Sequence, residues 1–565
     1  QIIKDAINTD FPNESELLDV SEQDSELNDS IDEIEQTDDF VNKKAVSRQL
    51  LDFLLFKGLL PRYAFPTDVS SFFVFDQDAS SYRPEAKYSP SQSTAVALSQ
   101  YAPGKNVYID NKMWTSGSIW GIGDSRTNAW RNRKHYFECR TCGYAKLEEI
   151  PEDLVETPSV SKCNACGGLD SMGRFDKGAM RWFRPPGFAH PIDKKPGTSV
   201  NDRTPISYAT RAKLMAQQNH DVPWRNHAER IASKYQREKL IVSNTGPEGA
   251  GYNYCTSCGR IEPSAIIGAN TINGAHDKPY PFPRQQACED RKVAKNVALG
   301  TTFYSDILLM QFRADDYIDI SPAKSVTKMA LRTISESLVQ AAVRLLALEE
   351  SELAADFRPA IVDGGPNRTL VEIFMYDTLP GGAGFSRLAL DQGITLFETA
   401  LSILENCSAN CDSSCYRCLR KFSNKFEHNQ LDRKLGASLL RHFIYGTRPN
   451  LSEKEVDSLV TTLSAALQER ANMGLELSKQ MKYESSVGNV TFPLVLKTQS
   501  RNLGICFSHP LVPEQPTDSS LMELYEYGFE QNLILFKPID AQSLLLKLPE
   551  VVSELWDASN GQVNL

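Results

Sequence analysis

The sequence predicts a multidomain α+β fold in which small cysteine-rich modules are set among helical and mixed α/β elements. Three observations carry that expectation. First, 41% of the 565 residues are hydrophobic, enough for real cores, and at about 150 residues per domain the length suggests three or four of them. Second, apolar residues recur at helical spacing in some stretches and as short strand-like runs in others. Third, eleven of the twelve cysteines fall into three tight groups.

In chain order, residues 1–44 read as an acidic linker. Residues 1–40 hold fourteen Asp/Glu and one Lys, a charge of −13 in a chain of net charge −11. The other 525 residues therefore sum to +2, so overall acidity does not exclude nucleic acid as a partner. Apolar residues at Leu17, Leu18, Leu27, Ile31 and Ile34 could support a transient helix. The acidic start is no signal peptide, and no apolar run approaches the roughly 18–20 residues of a membrane span. The chain begins at Gln1 rather than Met and is read as a fragment or a processed product.

Segment 45–138 reads as a mixed α/β domain. Val46, Leu50, Leu51, Leu54 and Leu55 recur at helical spacing, and Gly58 sits where that helix stops. A strand at 71–76, a short helix near 91–101 ending at Pro103-Gly104, and a strand at 106–110 follow. Segment 139–180 holds the first cysteine group and 181–320 the second, with a Pro/Gly/Arg-rich extended loop at 181–203. In segment 321–450, Ser321 caps a long helix with Leu331, Ile334, Leu338, Ala342 and Leu345 on one stripe. A strand at 370–376 leads through Gly381-Gly382-Ala383-Gly384 into another helix, and the third cysteine group lies at 407–418. Segment 451–565 is a helical plus α/β module: a polar helical region (451–482), then strands near 490–496, 504–508 and 533–537.

The first group is Cys139-x2-Cys142-x20-Cys163-x2-Cys166. A CxxC pair bends so that both thiolates reach one ion, and two such pairs complete a tetrahedron with no open position. Gly143 and Gly167-Gly168 supply the tight turns. Structural zinc of the ribbon type follows. The second group starts Cys255-x2-Cys258-Gly259, with His276 and Cys288 as third and fourth ligands. The bland reading makes His276 an ordinary surface histidine. His276-Asp277-Lys278 also matches half of a phospholipase D nuclease signature, but Pro283 stands where its Asp belongs and no second copy exists.

The third group is Cys407-x3-Cys411-x3-Cys415-x2-Cys418. On a straight helix these four would spread over roughly 16 Å. One ion requires its thiolates within about 4 Å of each other, so the helix must break, near residues 410–414. A four-cysteine iron–sulfur cluster is the competing ligand. Dense cysteines without a secretion signal point to metal in a reducing compartment, here the cytoplasm, and about three zinc ions per chain. Cys506 stands alone and reads as a buried apolar residue.

No phosphate-loop motif occurs, so the chain lacks a complete ATPase motor, and no catalytic residues are assigned. The 381–384 loop could present amides to an anion, although close backbone packing is the plainer reading. Asp377 and Asp363 read as turn or cap residues before they read as catalytic. Basic and aromatic residues interleave in three places. Arg131, Arg133 and Lys134 precede the first knuckle. Trp182 and Arg184 follow that module. Arg417, Arg420, Lys421 and Lys425 lie in and after the third group, with Arg433 beyond. Cations neutralise phosphates and rings stack on unpaired bases, so these are candidate nucleic-acid contacts. Each alone would more often be a solvated face.

The run Cys411-x3-Cys415-Tyr416-Arg417-Cys418-Leu419-Arg420, then Ser423-Asn424 and His428-x3-Asp432-Arg433, resembles the MrfA zinc-binding (MZB) domain at the C-terminus of certain superfamily 2 helicases. Tyr376-Asp377-x2-Pro380-Gly381-Gly382-Ala383-Gly384-Phe385 is similar to the same family's glycine-rich signature. Residues 59–67 (LLPRYAFPT) resemble the stretch just after the motor domains of long defence helicases, such as those of Druantia-like anti-phage systems. The likeness spans roughly 45–445 and is absent beyond about 450. It implies ATP-dependent translocation on DNA, one metal on Cys407, Cys411, Cys415 and Cys418, and an MZB-type domain at 321–450 following a post-motor domain at 45–138. The motor itself would be another part of the same polypeptide or a separate subunit, and ATP would act only through it. The expected function is therefore a DNA-contacting accessory region of a bacterial helicase, with DNA, the motor domains and another defence-system protein as partners and no membrane. The rival is a zinc-stabilised protein-interaction scaffold.

Overall fold

The structure is a computed structural model. It describes residues 68–559 except 77–84, 151–159, 173–178, 198–207, 216–221, 265–271, 273, 282–286, 290–291, 361–366, 469–474, 486–487, 499–501, 517–520, 523–532 and 536–537. The linker 1–44, the expected helix near 45–55, the 59–67 motif and Asp363 lie outside the described residues.

The described residues open with β1 (Val69–Phe75), α1 (Thr94–Gln100), a hairpin of Asn106–Ile109 with Lys112–Thr115, and α2 (Ser125–Arg131). These match the strands and the helix expected there. A sheet of eleven strands among the described residues follows. Its main members are β2 (Lys134–Glu138), β3 (Ala145–Glu149), β4 (Met180–Phe183), β5 (Ile231–Asn244), β6 (Tyr252–Cys255), β7 (Val293–Arg313), β8 (Leu353–Pro359) and β9 (Leu370–Asp377). The sheet thus draws strands from four of the segments delineated in the sequence.

The 21-residue β7 is its axis. One edge pairs antiparallel with β5 from Ile231↔Phe312 to Asn244↔Leu299, then with β6. The other edge takes β9 antiparallel and β4 parallel. Strand side chains alternate between faces, and here both faces are apolar. Leu308, Met310 and Phe312 join Val371, Ile373 and Met375 in one core. Ile307 and Leu309 join Phe374 and Tyr376 in the other, against Phe72 and Val74 of β1 and Leu98 of α1.

Four helices follow: α3 (Ser325–Leu346), α4 (Phe385–Asp391), α5 (Ile394–Glu405) and α6 (Arg433–Tyr445). Leu331, Ile334, Leu338 and Ala342 of α3 are fully buried, as their spacing predicts. Thr333, Ser335 and Ser337 are buried too, because α3 packs against β8 on one side and α5 and α6 on the other. The helix begins at Ser325 with Lys324 as its N-cap, so the expected Ser321 cap is corrected. Ser321 instead accepts from the Ala323 amide in a preceding turn.

Two further expectations change. The 181–203 stretch is not a plain loop. It supplies β4 and Gly187–Ala189, because Trp182, Phe183 and Phe188 bury their rings. The helical reading of 451–482 holds for α7 (Glu453–Gln468) but not for β10 (Glu476–Ser485). There Met481 and Tyr483, two residues apart, pack on the cluster of Val490 and Phe492. The strand β10 pairs with β11 (Gly488–Lys497), which pairs with β12 (Asn502–Ile505) and, beyond it, Leu533–Leu535. Leu463 of α7 and Leu555 of the final helix cover this sheet. Cys506 is buried as expected, and burial pushes its thiol up to about 12.

Candidate metal centres and their surroundings

Three sets of ligand atoms converge, each with all four atoms within 4.8 Å of one another. They are the sets read from the sequence: Cys139, Cys142, Cys163 and Cys166; Cys255, Cys258, His276 and Cys288; Cys407, Cys411, Cys415 and Cys418. A tetrahedron of zinc–sulfur bonds near 2.3 Å places sulfurs about 3.8 Å apart. Measured separations include Cys139–Cys166 at 3.6 Å, Cys142–Cys163 at 3.8 Å and Cys255–Cys288 at 3.9 Å. A disulfide needs about 2.05 Å, so these are open ligand cages. The donor sets and spacings fit zinc, and each of the three sites could hold one ion.

The knuckles share one turn. In each, glycine follows the second cysteine with positive φ, 73° at Gly143, 71° at Gly167 and 82° at Gly259. Its amide donates to the first cysteine's carbonyl at 2.8–2.9 Å. Left-handed backbone costs glycine little, which is why the sequence repeats it. The second site's irregular spacing has a structural reason. His276 and Cys288 face each other across a two-residue antiparallel ladder. His276 Nδ1 lies 2.8 Å from the Gly274 carbonyl, which fixes the proton there. Nε2 is then free to ligate and sits 3.2 Å from Cys258 Sγ. Arg126 of α2 clamps the knuckle by donating to the carbonyls of Thr256 and Ser257.

The third site is built differently. Its sulfurs form four edges of 3.6–3.7 Å: 407–415, 407–411, 411–418 and 415–418. That suits one tetrahedral ion. A multi-iron cluster would distribute the sulfurs over several metals and spread them farther. The expected broken helix is corrected: α5 ends at Glu405, before the first ligand, and the cysteines ride on consecutive turns. Asn410, at φ 45°, takes the left-handed corner. The buried Arg433 holds the loop. It donates to the carbonyls of Cys411, Leu404 and Glu405. Asn424 ties the following turn to Glu336 of α3 and to the Leu419 carbonyl. Asp432 caps α6, and its own amide donates to Thr333 of α3. Each site also biases one thiol toward thiolate. Cys139 and Cys255 are lowered chiefly by hydrogen bonds from Cys142 and Cys258, and Cys407 by the Cys411 amide.

A short strand, Lys213–Leu214, stands between two of the centres. Lys213 reaches the Gly143 carbonyl and Glu138 beside the first site. Arg211 reaches Glu427 beyond the third site and Glu336 at 2.7 Å. Arg332 pairs with Asp356. These ion pairs line a cavity of about 500 Å³.

The glycine-rich loop is occupied by the chain itself. The Asp377 carboxylate accepts from the amides of Ala383, Phe385 and Ser386 and from the Ser386 hydroxyl. Asp306 accepts from the Gly384 amide and from Tyr235. A Cβ on Gly382 would lie 2.1 Å from Asp306 Oδ2. The loop's anion site is thus filled by internal carboxylates, which repel a phosphate. Asp377 is a cap.

The candidate nucleic-acid residues divide. Arg131, Arg184, Arg417 and Lys425 are exposed, Arg184 as a partner of Asp68. Arg133 lies over the Trp130 ring, Lys134 pairs with Glu149, Arg420 donates to Ser414, and Lys421 lies 3.6 Å from Glu350. Trp182 is corrected: it is 4% exposed and donates its indole N–H to Ser243, which leaves no face for a base. Arg433 is likewise structural. What the sequence reading missed is a group of exposed rings, Tyr208, Phe422 and Phe426. Two of them flank Lys425 in sequence, and that interleaving was the available signal.

Residues 334–419, which include the whole third site, match the family described as the MrfA Zn-binding domain (MZB). Over 440 residues the chain is 30% identical to the Druantia protein DruE of Escherichia coli (strain UMEA 4076-1), covering 73% of this chain and 23% of that protein. The chain thus spans about a quarter of the length of that curated relative. Among solved structures, the DUF1998 helicase MrfA bound to DNA is similar with a TM-score of 0.30 at 10% identity, over 66% of this chain and 34% of that one. MrfA bound to DNA and AMPPNP gives 0.24 at 9% identity, over 64% and 32%.

Proposed function

We propose, starting from the MZB domain at residues 334–419 and the kinship with DruE, that this chain is the accessory, DNA-contacting zinc-binding region of a bacterial ATP-dependent DNA helicase acting in anti-phage defence. The observation that carries the reading is the match of the third site to a domain named for MrfA, together with the convergence of its four sulfurs. In this reading the three ions are structural zinc: saturated cages leave no position for water or substrate. Exposed cations near the zinc modules, among them Arg131 at the end of α2, Arg184 after β4, and Arg417 and Lys425 in and after the third loop, meet the DNA backbone. ATP turnover belongs to motor domains of the same polypeptide or of a separate subunit. Thiolate cages suit a reducing compartment, so the site of action is the cytoplasm. Among the described residues no helix is long and apolar enough to cross a membrane.

The test is DNA binding by the chain across a salt series. Affinity should fall steeply with salt, and the combined change Arg417→Ala, Lys425→Ala should flatten the slope by roughly one unit per lost phosphate contact. An unchanged slope with unchanged affinity would favour a scaffold that docks protein subunits through its zinc modules.

A further inference from the structure

Phe422 and Phe426 are 78% and 52% exposed, and Tyr208 is 41% exposed. Single exposed rings are ordinary on a protein surface, but these gather in one place. Tyr208 and Phe426 stack with centroids 4.2 Å apart, although more than two hundred residues separate them in sequence. The Lys425 ammonium lies 4.1 Å from the Phe422 ring and 5.0 Å from Phe426. Lys105 sits 3.5 Å over the Tyr208 ring. Two cations and three π faces thus share one patch, built half from the 101–117 and 208 region and half from the turn after the third metal site. Nearby Glu427 is engaged by Arg211 and Arg332. The Lys105 ammonium is pushed down to about 8 by burial and by the charge of Lys425. The two neighbouring ammonium groups repel each other in the free protein, and a polyanion would relieve that repulsion.

We infer that Phe422 and Phe426, with Tyr208 stacked against Phe426 and with Lys105 and Lys425 beside them, form a platform for unpaired nucleic acid, on which bases stack against the two phenylalanine rings while the two ammonium groups meet adjacent phosphates. The inference rests on the DNA-contacting reading and narrows it to single strands. Duplex bases are already stacked on each other and offer these rings no face, whereas every unpaired base does, so the platform is indifferent to sequence. A purely apolar protein partner would not need the two cations, and a purely electrostatic grip would not need the rings.

The experiment measures binding of a labelled oligothymidylate, and of a duplex of equal length, to the 565-residue chain by fluorescence anisotropy. Metal content is checked in every variant. The double change Phe422→Ala, Phe426→Ala should weaken the oligothymidylate on the order of tenfold or more, since two base–ring stacks are lost, and should leave the duplex nearly untouched. Phe422→Tyr with Phe426→Tyr, which keeps both π faces, should restore most of the loss. Full retention of single-strand affinity in the alanine pair overturns the platform. So does an equal loss on both DNAs, or retained DNA binding with loss of a co-purifying protein. In those cases salt-dependent binding through Arg417 would still stand. Failure of the unaltered chain to bind either DNA at any salt would instead overturn the DNA-contacting reading, and the platform with it.

Discussion

The first two metal centres and the third meet one coordination requirement with different turns. In the knuckles a glycine closes each bend, and of the cysteines in these two sites only Cys166 is more than slightly exposed. At 407–418 no glycine occurs. Asn410 takes the left-handed corner, Arg433 gathers the carbonyls, and three of the four cysteines are only half-buried. The knuckles therefore need the ion to hold their own small cores, such as the cluster of Phe137, Ala165 and Met172. The third loop is docked on a large core made by α3, α5 and α6, which has its own apolar burial. Metal is the fold's centre in one case and a clasp on its surface in the other.

Stripping all metal should show this contrast most strongly. Structural zinc contributes on the order of 10 kcal/mol in small modules. Elemental analysis of untreated protein should find close to three zinc. After strong chelation, hydrogen exchange should show amides of 139–172 and 252–288 losing protection while α3 and β7 keep theirs. Equal loss across α3 would mean that the third site is no clasp.

Single ligand changes divide the same contrast. Cys163→Ser should release one zinc and expose the whole ribbon to protease. Cys415→Ser should release one zinc and confine new cleavage to the loop around 406–430. Cleavage within α3 in the second variant would contradict the clasp reading.

A smaller effect separates arginine from glycine as turn-holders. Arg433→Ala should lower stability on the order of 3 kcal/mol in a urea titration, because it strands the Leu404, Glu405 and Cys411 carbonyls. Zinc should remain bound, though more readily chelated. A loss under about 1 kcal/mol would show that water replaces the guanidinium.

Smallest is a pair of glycine changes. Gly143→Ala meets only Lys213 Nζ at 3.5 Å, so left-handed strain of about 1–2 kcal/mol is the whole cost. Gly259→Ala adds a clash, with Cβ 2.6 Å from the Ile119 carbonyl. The second should be visibly worse in melting temperature, and equal shifts would remove the close approach as a cause.

What was legible in the sequence follows from how local each feature is. CxxC-Gly announces its own turn, so the knuckles could be read directly. The α3 stripe could be read because Leu331, Ile334 and Leu338 lie on one helix face. The partnership of His276 with Cys288 depends on a ladder closed across eleven intervening residues, so the ligands were named but their geometry was not. Trp182 looked like a base-stacking ring because burial in β4 is decided by β7, more than a hundred residues away. The platform rings were overlooked for the same reason, since Tyr208 meets Phe426 only in three dimensions. The strand β10 hid behind polar residues because Leu477, Met481 and Tyr483 are its large apolar side chains, they are divided between two cores, and none is fully buried.

The length of β7 has a mechanical consequence. At about 3.3 Å per residue its 21 residues reach roughly 70 Å, and β5 runs beside it for 14 of them. Inter-strand hydrogen bonds lie across the strand direction. A pull along β7 therefore loads the β5 ladder in parallel, so the bonds share the force and must slip together. A pull across it would open them one at a time, like a zip. The sheet is stiff along one axis and weak along the other, and a tug delivered along β7 passes from the cysteine-rich end at Cys255 to the helical end at Phe312 with little stretch.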